Sequence, residues 1–297
     1  MRPIRSLLIY FAVVFLGGAI LAPWLYWLAQ WAAGHGSALS GLAANPFHRY
    51  LDRSLLGLAL LCLWPLLRAA GLRRWRDAGF VRQGRTSRQI LQGFFVGWAS
   101  LAAVASLALA CGASAFVQTH SVAEVLRHLL NATWAAIAVA VLEELVFRGA
   151  LFGILRQTMP WQAAVIVSSA VYSAVHFIRH TDATRAVQWN SGLALLWGML
   201  SHPPPMIPAF FTLFVAGSIL ALSYQRTGAL YFSIGLHAGW IFWLKSYRFI
   251  FHPSGGHLSF WGTGELIDGW LSFLVLAVVF LLMARQKAAC PPGDEAA

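Results

Sequence analysis

Val141-Leu142-Glu143-Glu144-Leu145-Val146-Phe147-Arg148-Gly149 sets two adjacent carboxylates and an arginine inside a stretch otherwise apolar enough to sit in lipid. Insertion scales oppose each acidic or basic side chain at the centre of a membrane helix by roughly 2.5–3.5 kcal/mol, so three in six positions meet roughly 7–10 kcal/mol of opposition. Something must offset that. On a helix Glu144 and Arg148 are four apart and share a face, so they can pair. Glu143 is rotated by about 100° and has no basic neighbour within a turn of its own helix. One carboxylate therefore reads as structurally neutralised and the other as available for chemistry.

Composition extends this reading to the whole chain. Of the 297 residues 59% are hydrophobic and only 10% charged, and the mean hydropathy is +0.66, values that belong to polytopic membrane proteins. Lipid cannot satisfy backbone amides, which leaves helices or a closed barrel. The continuous apolar runs far exceed the roughly ten-residue alternating strands of a membrane barrel, so helices are expected. The net charge of +11 does not point to nucleic acid, because the arginines gather at the ends of apolar runs without aromatic interleaving; loop bias for topology explains it. Cys62, Cys111 and Cys290 are isolated and form neither a disulfide framework nor a zinc knuckle. Arginine far outnumbers lysine, a compositional pointer to a bacterial source.

The apolar run after Met1-Arg-Pro-Ile-Arg5 continues without Asp, Glu, Lys or Arg until Arg49, too long for a cleaved signal peptide, and reads as a retained first membrane helix. A second is expected over about 54–71, with Arg68 snorkelling at its end. Arg73, Arg74, Arg76, Arg82, Arg85 and Arg88 then form a solvated cytoplasmic loop able to meet anionic headgroups. Further spans are expected over about 90–116, 130–157 (broken by Pro160), 161–179, 206–224, 229–247 and 266–284. A polar loop holding His120, Glu124 and Arg127 precedes the fourth, an external loop with an interfacial helix near 191–200 and Pro203-Pro204-Pro205 precedes the sixth, and the tail from Ala288 is small and polar. The fold expected is thus all-α, a polytopic membrane helix bundle of about eight transmembrane helices. Basic residues count about 14 inside against about 7 outside when both termini are cytoplasmic, which orients it. Residues 1–128 supply the first helices and the basic loop, 129–247 the chemistry-bearing core, and 248–297 the last helix and tail, all one bundle.

Most of the ten histidines fall in expected loops, but His176 and His237 fall within expected membrane helices. Alone, such a histidine is often a simple interhelical hydrogen bonder. Together with Glu143 and Arg148 on a third helix they make a buried acid and base constellation.

The ordered motifs Glu143-Glu144-x-x-x-Arg148, Tyr172-x-x-x-His176, and Phe214-x-x-Gly217 with Arg226-Thr227-Gly228-Ala229-Leu230 leading to His237 resemble the CAAX-protease and bacteriocin-processing (Abi) family of intramembrane glutamic-type endopeptidases. The resemblance covers about residues 130–245. It implies that Glu143 is the general base that activates a water, that His176 assists it, and that His237 helps to stabilise the tetrahedral oxyanion. Glu144 and Arg148 would hold the helix architecture and the field around the base. Two positions depart from the family: Tyr172 stands where phenylalanine is usual, and Ile241, four residues after His237, where asparagine is common. Isoleucine donates no hydrogen bond, and losing one oxyanion donor typically costs about 10²–10³ in turnover. Trp240, Ser233 or a backbone amide are candidate replacements.

Elementary requirements agree with these roles: peptide hydrolysis needs a base, a site for the oxyanion and exclusion of bulk solvent. No Gly-x-Ser-x-Gly elbow and no His-Glu-x-x-His occur in the chain, which disfavours serine and zincin mechanisms. No cofactor is expected, although Glu143, His176 and His237 are also a three-ligand set for Zn²⁺ with water as the fourth ligand. The expected partners are a protein or peptide substrate in or at the membrane and the lipids themselves, with no nucleic acid. Two other readings compete. Ile241 motivates a non-hydrolytic immunity or scaffold protein of the same fold. An ion transporter would need discontinuous helices and an internal repeat, neither of which the sequence displays.

Overall fold

The computed structural model describes residues 2–36, 40–81, 84–117, 120–176, 186–201, 207–254, 258–262 and 265–286. The principal helices are α1 (Arg2–Ala12), α2 (Gly18–His35), α3 (Phe47–Ala69), α4 (Thr86–Ala110), α5 (Val122–Glu144), α6 (Trp161–His176), α7 (Ser191–Ser201), α8 (Ile207–Thr227), α9 (Tyr231–Ile250) and α10 (Trp270–Arg285). Every span expected from the sequence is met by a helix. Among the described residues four segments are, by length and composition, apolar enough to cross a membrane: Pro3–His35, Phe47–Ala69, Thr86–Ala110 and Ile207–Thr227. The difference from eight has a physical source. α10 has 16 residues, short of the roughly 20 that span hydrocarbon, α6 is described only as far as His176, and α5 and α9 carry polar groups that lower their hydropathy.

The chain divides into two compact units, residues 1–72 with 175–205 and residues 73–174 with 206–297. In the first, α1 and α2 are joined by a π-helical turn, Val13–Gly17, into one rod, and α3 packs beside it. Ala19, Ala22, Phe47, Leu51 and Leu196 form the core. α7 comes close at Gly192, where any side chain would collide with the carbonyl of Ala19.

The second unit is organised by α4 and α9. Gly93 and Gly97 face the carbonyls of Phe232 and Leu236, and Gly235 and Gly239 face those of Ile90 and Phe94. Two Gly-x-x-x-Gly faces thus meet, the arrangement that lets helix backbones approach where lipid provides no hydrophobic drive. Leu101, Val104, Ala105, Ile219, Leu220 and Leu236 continue this contact into the core.

Several local expectations are corrected. The third expected helix stops at Ala110, and Ser114–Phe116 (β1) instead pairs antiparallel with Phe251–Pro253 (β2), Ala115 opposite His252. This ribbon ties the end of α4 to the end of α9. The expected loop at 120–127 is mostly helix: Ser121 and Glu124 form a reciprocal capping box that starts α5, satisfying amide donors that would otherwise be orphaned. The basic loop after α3 is solvated only in part. Arg73, Arg74 and Arg76 are exposed, but Ala78 and Gly79 are buried, and the Leu230 amide donates to the Gly79 carbonyl at 2.9 Å. Gly79 is left-handed at φ +96°, which explains why glycine stands there. Arg82, the continuation of the fifth expected helix past His176, Pro203–Pro205 and the tail from Ala288 lie outside the described residues.

Candidate active site

Glu143 and Glu144 are the last residues of α5, and the next eight, Leu145–Phe152, widen into a π-helical segment. Such segments often mark functional sites. Here the wider winding keeps Arg148 over Glu144, and Arg148 Nη1 lies 3.0 Å from Glu144 Oε1. The expected i,i+4 pair is present, and it is deeply buried, with 2% of Arg148 and none of Glu144 exposed. Gly149, on the same segment, packs against the Ala78 carbonyl, so the strand of chain after α3 seats the widened turn.

The sequence does not announce the second partner of Glu144. His237 Nδ1 lies 2.9 Å from the same Oε1, so Glu144 is shared by a guanidinium and an imidazole. Glu143, read from its own helix as lacking a basic neighbour, has one from α9: His237 Nε2 is 3.7 Å from its Oε2. His237 thus stands between the two carboxylates. Glu143 keeps 27% of its side chain exposed, although the Oε2 that faces His237 is buried, while Glu144 keeps none, which makes Glu143 the more exposed of the two acids.

Tyr172, on α6, completes the cluster. Its hydroxyl is 3.5 Å from His237 Nε2, its ring lies beneath the Arg148 guanidinium at 4.5 Å, and it meets Phe147 edge-on at 5.0 Å. Arg148 Nη2 also donates to the Gly217 carbonyl at 3.3 Å, and a side chain at Gly217 would press on Ser169 and Tyr172. Gly217 is therefore where α6, α8 and the arginine meet. The orientation of α9 is fixed from behind, by the glycine contact with α4 and by Trp240 Nε1 donating to Ser100 Oγ at 2.9 Å.

The structure therefore brings together Glu143, Glu144, Arg148, Tyr172 and His237. His176 is the last residue of α6, one turn beyond Tyr172, half-buried, and belongs to the first unit. Among the described residues no group of three His, Cys, Asp or Glu side chains is placed to hold a metal ion. Sequence reading missed Ser100 and the facing glycines; the Gly-x-x-x-Gly spacing at 93–97 and 235–239 was the signal that could have found the latter.

Chemically, the cluster can hold and move a proton. Two carboxylates and one guanidinium surround the His237 ring, one acid at each ring nitrogen, and opposite charges gathered in the interior offset much of the cost of isolated charge. No curated protein and no solved structure matches the chain. Residues 125–243, the stretch that supplies all five of these side chains, match the Rce1-like family, the type II CAAX prenyl endopeptidases, which is a family of proteases.

Proposed function

We propose that the protein is an intramembrane endopeptidase that hydrolyses a peptide bond of a membrane-associated protein or leader peptide by a glutamate-activated water. The observation that carries this reading is the partly exposed side chain of Glu143, whose buried Oε2 is held 3.7 Å from His237 Nε2, beside a second carboxylate neutralised in the interior. Glu143 takes a proton from water as the water oxygen adds to the scissile carbonyl carbon. The carbonyl π electrons move onto oxygen, where His237 Nε2–H meets the developing charge. Glu143 then delivers the proton to the amide nitrogen as the C–N bond breaks. His176, one turn beyond Tyr172 on α6, assists the base. Glu144 and Arg148 hold His237 and set the surrounding field. The reaction as written uses no cofactor.

The protein crosses a bacterial cytoplasmic membrane eight times with both termini in the cytoplasm. Its substrates are prenylated or otherwise lipid-bearing C-terminal tails or leader peptides, its surroundings are membrane lipids, and nucleic acid has no part. Comparing cleaved termini of membrane proteins by mass spectrometry in cells carrying the wild type or Glu143→Ala tests this. Loss of a defined set of cleavages in the variant is expected, and identical termini in both strains would sink the reading. Ile241, which offers no donor one turn past His237, favours a second reading, a non-hydrolytic immunity protein; in that case Glu143→Gln cells keep the protective phenotype.

A further inference from the structure

Oxyanion stabilisation needs at least one donor besides His237, and the two side-chain replacements that the sequence suggests are engaged elsewhere. Trp240 Nε1 donates to Ser100 Oγ at 2.9 Å, and Ser233 Oγ donates to the Leu230 carbonyl at 2.9 Å. Ile241, the next position on the His237 face of α9, has nothing to donate. Resting on the endopeptidase reading, we infer that the hydroxyl of Tyr172 is the second oxyanion donor, a catalytic residue acting beside His237 Nε2.

Two features carry this. First, the hydroxyl lies 3.5 Å from Nε2, long for a bond between the two yet short enough that one oxygen can sit about 2.8 Å from both, the range expected of oxyanion donors. Glu143 Oε2 is 3.7 Å from that same nitrogen, so base and donors converge on one point. Second, Tyr172 is held there firmly. It is 3% exposed, its ring is fixed under Arg148 and against Phe147, and α6 is tied to α8 by Ser173 Oγ donating to the Phe210 carbonyl at 2.8 Å. A donor fixed before the reaction stabilises charge without reorganisation. Arg148 steadies both donors by geometry: its guanidinium lies 4.5 Å over the Tyr172 ring and beside Glu144, which holds His237.

The test uses the full-length protein in detergent micelles and a quenched-fluorescence peptide ending in a farnesylated C-a-a-X tetrapeptide. Tyr172→Phe keeps the ring and removes only the hydroxyl. Its kcat should fall about 10²-fold with KM unchanged, at an unchanged thermal midpoint. A phosphonate that mimics the tetrahedral intermediate should lose affinity by the same factor, whereas an uncleavable substrate analogue should not. Ser233→Ala should stay within about two-fold of wild type. Wild-type kcat in Tyr172→Phe, or a loss of phosphonate and ground-state affinity together, overturns the inference while Glu143→Gln remains dead. Failure of the endopeptidase reading looks different: wild type and Glu143→Gln then process the peptide alike, and the Tyr172 assignment falls with it.

Discussion

Glu144 receives His237 Nδ1 at 2.9 Å on the same oxygen that Arg148 approaches at 3.0 Å. The neighbour of the proposed base is thus more than a counter-ion for its own helix. By accepting at Nδ1 it fixes which ring nitrogen of His237 faces Glu143 and Tyr172, as second-layer carboxylates do for histidines in general. Glu144→Gln keeps the shape and removes the charge. It should reduce kcat by at least 10-fold with little change in KM, because a neutral amide holds the imidazole N–H less firmly than a carboxylate does. A kcat equal to wild type would reduce Glu144 to packing.

Removing Glu144 altogether has a different cost. Glu144→Ala leaves Arg148 buried without its ion pair, and breaking one partner of a buried pair typically destabilises by about 3–5 kcal/mol. Thermal denaturation in detergent should show a marked drop for Glu144→Ala and a smaller one for Glu144→Gln. Arg148→Lys should also fail to rescue, because an ammonium cannot both reach the Gly217 carbonyl and cover the Tyr172 ring.

The facing glycines of α4 and α9 make a prediction far from the chemistry. Gly97→Val places a branched side chain against the Leu236 carbonyl, one residue before His237. Overpacking of this kind costs typically about 1–3 kcal/mol, and α9 can relieve it only by moving away from α4. Cleavage should fall at least as much as in Glu144→Gln, although no polar group has been touched. Gly57→Val is the comparison, since Gly57 has nothing nearby for a side chain to meet; it should leave activity intact.

At the start of α5 the relevant variable is pH. The backbone amide of Ser121, with its hydroxyl, donates to the Glu124 carboxylate and holds it below the usual carboxylate range. A folded-state value below the unfolded one means that the cap stabilises fully above the unfolded value and is lost as pH falls through the folded one. Amide hydrogen exchange at the first turn of α5 should therefore accelerate, relative to its intrinsic rate, as pH falls below the ordinary glutamate range. Glu124→Gln should abolish that dependence.

Chelation separates two chemistries. His237 Nδ1 is committed to Glu144, and among the described residues no group of three His, Cys, Asp or Glu side chains is placed to hold a metal ion. Peptidase activity is therefore expected to persist in EDTA and 1,10-phenanthroline; loss that zinc restores would require a different arrangement of His237.

Much of this architecture was legible from residue patterns alone, for reasons that are physical. Membrane-length apolar runs admit only helices here, and Glu144 and Arg148 had to pair because no other neighbour on their helix could neutralise them. What the sequence hid depends on distance along the chain. His237 lies 93 residues after Glu144, and nothing on α5 shows that an imidazole from α9 will claim a carboxylate already matched with an arginine. Glu143 illustrates the same limit, since its neighbours in sequence offer no base whereas its neighbours in space do. The β1–β2 ribbon escaped because three-residue strands embedded in apolar sequence look like helix ends, and the buried turn at Ala78–Gly79 because its flanking arginines dominate the composition. The capping box at Ser121 and Glu124 was readable by its spacing and was passed over in favour of polarity.

The π-helical segment Leu145–Phe152 has one more consequence, for chain length. The residues just before it must present the carboxylates to His237, and within it Gly149 must face Ala78. The wider winding spends more residues on each turn than an α-helix does, so the number of residues between Glu144 and Gly149 decides whether both contacts are met together. Deletions within these eight positions should be tolerated far less well than substitutions, whatever residue is removed, because the count itself carries the alignment.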